Sequence, residues 1–238
     1  MHLAVRSTEV ELMDNPDVSI HELKNTFLDI NRSNAMLGGN DISIHSLWNL
    51  VKNNPYLKSY TILDMGCGDG YMLRKTALLL RKKKIKGVLI GMDLREDILA
   101  IAREASQDFP EIQFVKQDVL ALDASKFQCD ILLCTLTMHH FTNAEIIVFL
   151  NKFVSISRLG IVINDLHRSK LACFLFKIFR IFFLKTHMAK IDGLISIKRG
   201  FLKSELEDFA KKIPNVIHRI RWKWAFRYVW VLETNRQN

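Results

Sequence analysis

Residues Ile62-Leu63-Asp64-Met65-Gly66-Cys67-Gly68-Asp69-Gly70 carry the densest chemical signal in the chain. A short apolar run ends in a carboxylate, and three glycines follow at alternate positions. A buried strand reads this way when it stops at a turn lying against a ligand. Glycine is needed there because the turn asks for unusual backbone angles and because a Cβ would stand where the ligand goes. The helix expected from about 69 to 82 would aim its unpaired N–H groups at the same place. The spacing is not Gly-x-Gly-x-x-Gly and lacks a Gly-Lys-Ser/Thr ending. No lysine or arginine stands in the loop, so it is not built for a phosphate.

Further polar residues fall where successive strands should end. Asp93 closes Leu89-Ile90-Gly91-Met92-Asp93, and a carboxylate there can accept hydrogen bonds from both hydroxyls of a ribose. Asp118 follows Phe114-Val115-Lys116-Gln117, where an oxygen can accept from an adenine amino group. The apolar run Cys129–Cys134 leads into Thr135-Leu136-Thr137-Met138-His139-His140-Phe141. Open α/β sheets bind ligands at this end of their strands. Either aspartate alone reads as a cap or a loop residue, but in register with the glycine loop they mark a nucleoside site.

This constellation resembles the class I S-adenosylmethionine-dependent methyltransferases, in their small-molecule branch. Asp64–Gly70 matches the family's glycine-rich motif, Asp93 its ribose-binding acid and Asp118 the acid on the adenine amino group. The resemblance implies an enzyme with S-adenosylmethionine as cofactor, held by Asp64, Gly66, Cys67, Gly68, Gly70, Asp93, Leu94, Asp118, Val119 and Thr135. Arg32 is a candidate for the cofactor carboxylate. In such an enzyme the cofactor brings its own leaving group, and a histidine can take the proton of a phenol as it attacks. His139, His140 and His167 are the candidates for that base, and no metal is expected. The stretches Asn31-Arg32…Leu37-Gly38-Gly39, Asn164–Ser169 and Asp192–Ser196 resemble a bacterial subgroup associated with aromatic polyketide or quinone-like products. That resemblance points to O- or C-methylation of a hydrophobic ring.

The elements that must position these residues are legible around them. Ser19-Ile20-His21-Glu22 is a capping-box pattern opening a helix that should stop at Gly38-Gly39, and a second helix should span about 43–52. From residue 60, strands (60–64, 87–92, 112–116, 129–134, 159–164) alternate with helices (70–82, 95–107, 142–156). That alternation predicts a Rossmann-like α/β fold, a mostly parallel sheet with helices on both faces. Segments 216–222 and 226–232 close it as a hairpin with an antiparallel last strand. The domain expectation is an N-terminal helical extension over 1–58. Residues 59–238 then form the methyltransferase domain, with a helical insertion at about 168–200. Differences in specificity should lie in the extension and the insertion.

Composition sets the partners. The chain has 238 residues, half of them hydrophobic, and a formal charge of +9. Cys67, Cys129, Cys134 and Cys173 show neither a disulfide framework nor zinc-ligand spacing. With no secretion signal, a cytoplasmic location is expected. Asn/Asp-Pro-Pro-Tyr/Phe is absent after the fourth strand, which argues against a nucleic-acid amino-group methyltransferase. An RNA methyltransferase using the basic 158–203 region, or a non-catalytic cofactor-binding partner in a biosynthetic complex, remains an alternative. Residues 171–184 hold five phenylalanines with Lys177 and Arg180 among them. Three readings are open for this segment: a core or dimer helix, a lid over an apolar substrate, or a helix lying on a membrane surface from 171 to 185. The series Trp222, Trp224, Phe226, Tyr228, Trp230 is expected to pack the final hairpin against helices.

Overall fold

Branched and apolar residues fill the central strands, and the sheet buries them on both faces. Ile62, Ile131, Leu132, Leu133, Ile161 and Val162 are wholly inaccessible in the computed structural model, which describes residues 3–234. Seven strands line up as β3-β2-β1-β4-β5-β7-β6. They are β1 (Ser59–Met65), β2 (Lys86–Asp93), β3 (Ile112–Lys116), β4 (Cys129–Thr135), β5 (Ser157–Leu166), β6 (Ile217–Lys223) and β7 (Arg227–Glu233). All neighbours from β3 through β5 pair in parallel, and β7 alone runs against its neighbours, between β5 and β6. This is the Rossmann-like, mostly parallel sheet with one antiparallel strand that the alternation predicts. The edge strand β6 carries Arg219, Arg221 and Lys223 outward, charges that discourage a further strand from pairing.

Helices α1 (Ile20–Met36), α2 (Gly39–Lys52), α3 (Tyr71–Lys82), α4 (Glu96–Ala105), α5 (Asn143–Ile156), α6 (Lys170–Phe183), α7 (His187–Arg199) and α8 (Lys203–Lys211) surround the sheet. Two cores form, one on each face. Leu47, Leu50, Leu73, Leu80 and Leu99 bring α2, α3 and α4 onto one side, while Ile146, Phe149, Phe153, Leu206 and Phe209 bring α5 and α8 onto the other. Helix α1 opens on the expected cap, with the Ser19 hydroxyl accepting from the Glu22 N–H. Helix α2 starts at Gly39 rather than 43, because left-handed Gly38 turns the chain straight into it. The helical insertion expected at about 168–200 is a pair of helices, α6 and α7, split where the Thr186 side chain caps α7.

The aromatic series divides. Tyr228 and Trp230 pack into the core as expected, whereas Trp222 and Trp224 stand exposed. The turn at 224–226 separates them onto different strands, so alternate spacing does not put them on one face.

Residues 3–18 form a strap rather than a helix, apart from a 3-10 turn at Leu12–Asp14. Arg6 pins the strap by donating to the carbonyls of Arg199, His139 and Phe141, with its guanidinium over the Phe201 ring. The Asp192 carboxylate accepts from the N–H groups of Leu12 and Met13 at 2.7 and 3.0 Å.

Candidate cofactor site

The strand order reverses between β1 and β4, so a crevice opens at the C-terminal ends of these strands. The glycine loop lies in it. Gly66 and Gly68 have φ of +68° and +52°, backbone that other residues rarely adopt. Contrary to the expectation that a Cβ here would fill ligand space, the space is already taken by protein. A Cβ on Gly66 would sit 2.4 Å from Thr137, and one on Gly68 would sit 2.9 Å from the Phe27 ring of α1. Two neighbouring elements therefore close directly onto the loop. The Asn31 amide of α1 also donates to Asp69 at 2.8 Å, and Asp69 pairs with Arg74.

Asp64 is 2% exposed, and no hydrogen-bond donor or cation among the described residues meets its carboxylate. Burial first, then the neighbouring charges of Asp93 and Asp69, push it up to about 8. A buried carboxylate without a donor fits a cationic ligand, as the ammonium group of S-adenosylmethionine would be. Asp93 stands next to it and is itself raised by burial. It accepts from the N–H of Gly68 at 3.1 Å and of Arg95 at 3.2 Å, which ties the end of β2 to the loop. The loop's Cys67 is buried against Gly91, and Gly70 is the left-handed residue just before α3.

The remaining expected cofactor residues are less closely joined. Asp118 is exposed in the loop after β3 and caps the Leu120 N–H with its own carboxylate. Val119 packs into the core beneath it, and Leu94 is exposed. Thr135 ends β4 with its hydroxyl 3.1 Å from that of Ser43 on α2. Arg32 is exposed on α1 and makes no hydrogen bond or ion pair to the loop. The helix instead meets the site through Asn31 and Phe27, one and five residues earlier.

Two of the three histidines, His139 and His167, are held in ways that unsuit them to accept a proton. His139 is buried with Nδ1 2.7 Å from Asp165 and Nε2 3.2 Å from Glu11. Burial opposes its charge, but Asp165 and Glu11 outweigh burial and lift the imidazole to about 9. Burial would raise Glu11 in turn, yet His139, His140 and the Ser196 hydroxyl bring it down to about 2. His139 is thus a charged strut between the strap and β5, with no free lone pair at neutral pH. His140 lies 3.2 Å from Asp14 of the strap. Burial, then Arg168, lowers the pKa of His167, whose Nδ1 accepts from the Trp222 indole at 3.2 Å. Its ring proton therefore sits on Nε2, which can only donate.

Sequence reasoning passed over a polar patch beside the loop. Asn164, at the end of β5, donates to the Gly39 carbonyl and the Ser43 hydroxyl. Arg227 begins β7, wholly buried against Gly39, and donates to Asn34. Burial brings this guanidinium down to about 10. No carboxylate among the described residues lies within ion-pair distance of it. Asn164 Oδ1, Asn40 Nδ2 and Arg227 Nη1 are all buried without a partner, and such atoms call for explanation. Asn164 does stand in the Asn164–Ser169 stretch noted for its resemblance. Nothing in the sequence around Arg227 marks it as different from the other arginines of the hairpin.

Comparison with known proteins agrees with this fold. Residues 62–160 match a family model described as a methyltransferase domain. Over 62 residues the chain is 39% identical to the 2-phytyl-1,4-naphtoquinone methyltransferase of Thermosynechococcus vestitus, a match spanning 26% of each protein. The chain thus aligns with about a quarter of that relative's length. Among solved structures, the plantazolicin methyltransferase BpumL, in complex with a triazolic desmethylPZN analog and SAH, superposes with a TM-score of 0.70. That match has 15% identity and covers 94% of this chain and 93% of that one. The magnesium protoporphyrin IX methyltransferase (ChlM) of Synechocystis, with bound SAH, gives 0.55 at 13% identity, covering 83% and 84%. At these identities the likeness establishes the fold.

Proposed function

We propose that this chain, which carries a class I S-adenosylmethionine-dependent methyltransferase domain, moves a methyl group from that cofactor to a hydrophobic phenolic, quinone-like or polyketide small molecule. The observation that carries the reading is Asp64, a buried carboxylate without a donor, beside Asp93 and the left-handed glycine loop. Asp64 would hold the cofactor's ammonium group and Asp93 its ribose, with Asp118 at the adenine end. The bound cofactor supplies an activated methyl on a sulfonium.

The protein's part is position and electrostatics. Phe27 and Thr137 close on the loop from two sides and would keep water from the transferring methyl. His139 is occupied by two carboxylates, His167 presents an N–H and His140 faces Asp14 of the strap, so we assign activation of the acceptor to the Arg227–Asn164 patch. A guanidinium without a counter-ion favours a phenolate over a phenol. The acceptor would then attack as its anion, its proton having gone to solvent. The compounds named for the relatives, a naphthoquinone, a magnesium protoporphyrin and a triazolic desmethylPZN analog, support a small-molecule acceptor without choosing one.

Titration calorimetry with S-adenosylhomocysteine tests the cofactor site. Asp93→Ala should abolish measurable binding while the circular dichroism spectrum and melting profile stay native. Undiminished affinity in that variant would remove the assignment. Incubation with a panel of phenols and hydroquinones, read as S-adenosylhomocysteine release, tests the acceptor class. Turnover on RNA but on none of the panel would overturn it.

A further inference from the structure

Helix α6 packs chiefly on α7 and leaves a full apolar stripe facing outward. Leu171, Phe174, Leu175, Ile178, Ile181 and Phe182 recur at three-and-four spacing, which places them along one side of the helix. Phe174, Ile181 and Phe182 are 60%, 69% and 75% exposed, unusual for residues of this size. The opposite side already supplies what the fold requires. Ala172 and Cys173 are buried there, and the Phe176 ring fills the notch left by Gly193 of α7. The outer stripe is therefore surplus to the packing of the chain.

Its surroundings are cationic. No aspartate or glutamate occurs between Asp165 and Asp192, while Lys170, Lys177 and Lys185 are exposed on the same helix or just past it. At the end of the stripe, Arg180, Ile181, His187, Lys190 and Ile191 line a cavity of about 380 Å³. Three basic groups around one apolar-floored cavity suit an anionic headgroup whose chains run along the stripe. A second copy of this chain would bring Lys170, Lys177 and Lys185 against like charges, with no acid on the face to offset them. An apolar patch rimmed by cations is the pattern of a helix that lies in a lipid interface.

We propose that α6 docks the protein on the surface of an anionic phospholipid membrane, apolar stripe down, with an anionic headgroup in the Arg180–His187–Lys190 cavity. No helix among the described residues is long and apolar enough to cross a bilayer, so the contact is peripheral. The α6–α7 junction is also tied to α1, since Asp29 accepts from the N–H groups of Lys185 and Thr186 at 2.8 and 2.7 Å. The docked helix thus borders the helix that covers the glycine loop. Resting on the proposed activity, this gives an apolar acceptor a route from the bilayer to the site. The docking itself is independent of turnover.

Vesicle co-sedimentation of the full chain tests it. Vesicles of phosphatidylcholine with about a quarter phosphatidylglycerol should bind the protein at least about tenfold more tightly than phosphatidylcholine alone, and less tightly as salt is raised. Phe174→Ser/Phe182→Ser should lose that binding while keeping its melting temperature and its affinity for S-adenosylhomocysteine. Lys177→Glu/Lys190→Glu should lose the preference for anionic vesicles. Three results would each overturn the proposal. They are no vesicle binding by the unmodified chain, equal binding by the serine variant, or a dimer in light scattering that the serine variant turns to monomer. Loss of cofactor binding in the unmodified chain would instead strike the functional reading and leave the docking result standing.

Discussion

Asp64 is an expensive residue in the ligand-free protein. Its folded pKa stands at about 8 against an ordinary 3.8, with burial the first cause. A carboxyl raised in this way contributes fully to stability only below its unfolded pKa, and that contribution drains away as pH rises from about 4 to 8. Asp64→Asn removes the titration while keeping the shape. The ligand-free variant should melt higher at pH 8, by roughly 5 °C or more, and bind S-adenosylhomocysteine at least about tenfold more weakly. A variant that melts lower would show that the carboxylate has a protein partner in solution, and one that keeps full affinity would show that Asp64 does not hold the cofactor. Local sequence identified this residue because strand, acid and glycines are consecutive. The surroundings of His139 were not legible locally for the opposite reason. Its partners Glu11 and Asp165 lie 128 and 26 positions from it, and only those partners decide whether an imidazole is a base or a strut.

Elements were legible wherever one pattern governed them. Buried runs gave the five parallel strands within a residue or two, and Ser19 opens its helix with the expected side-chain bond, as Thr142 also does at α5. The insertion was harder, because its apolar residues serve two faces at once and periodicity alone does not say which face meets protein. Gly193 shows how the structure resolves this. A Cβ there would come within 2.2 Å of the Phe176 ring, so glycine in mid-helix lets α6 approach α7. On an isolated helix, Gly193→Ala would stabilise by about 1 kcal/mol. Here it should destabilise by about 1–3 kcal/mol in urea unfolding. Adding Phe176→Leu should recover part of that loss through coupling between neighbours. Additive losses in the double variant would mean that the two helices are not packed in this way.

At the scale of the whole molecule, the strap joins the N-terminus to the far side of the sheet through one charged cluster, Glu11–His139–Asp165, with Arg6 and Arg199 on the His139 carbonyl. Its pH window follows from the shifts. The raised imidazole contributes fully below about 6.5 and loses that contribution as pH climbs towards 9. The depressed Glu11 contributes fully above about 4.5 and loses it as pH falls towards 2. The strap should therefore be tightest between these limits. Limited proteolysis should cut residues 3–18 slowly at pH 6 and several-fold faster at pH 9, with His139→Gln cut fast at both. Equal rates for the native chain at the two values would contradict the arrangement. Sequence by itself determined the strand order's chemistry: the loop, its acid and the alternation that makes a parallel sheet, because these are encoded within a few consecutive residues. Only the tertiary structure decided what covers the loop, which histidines are bound up, where Arg227 lies and which way α6 faces. Those answers depend on residues far apart in the chain, and burial sets the charge state and partners of each group only once they meet.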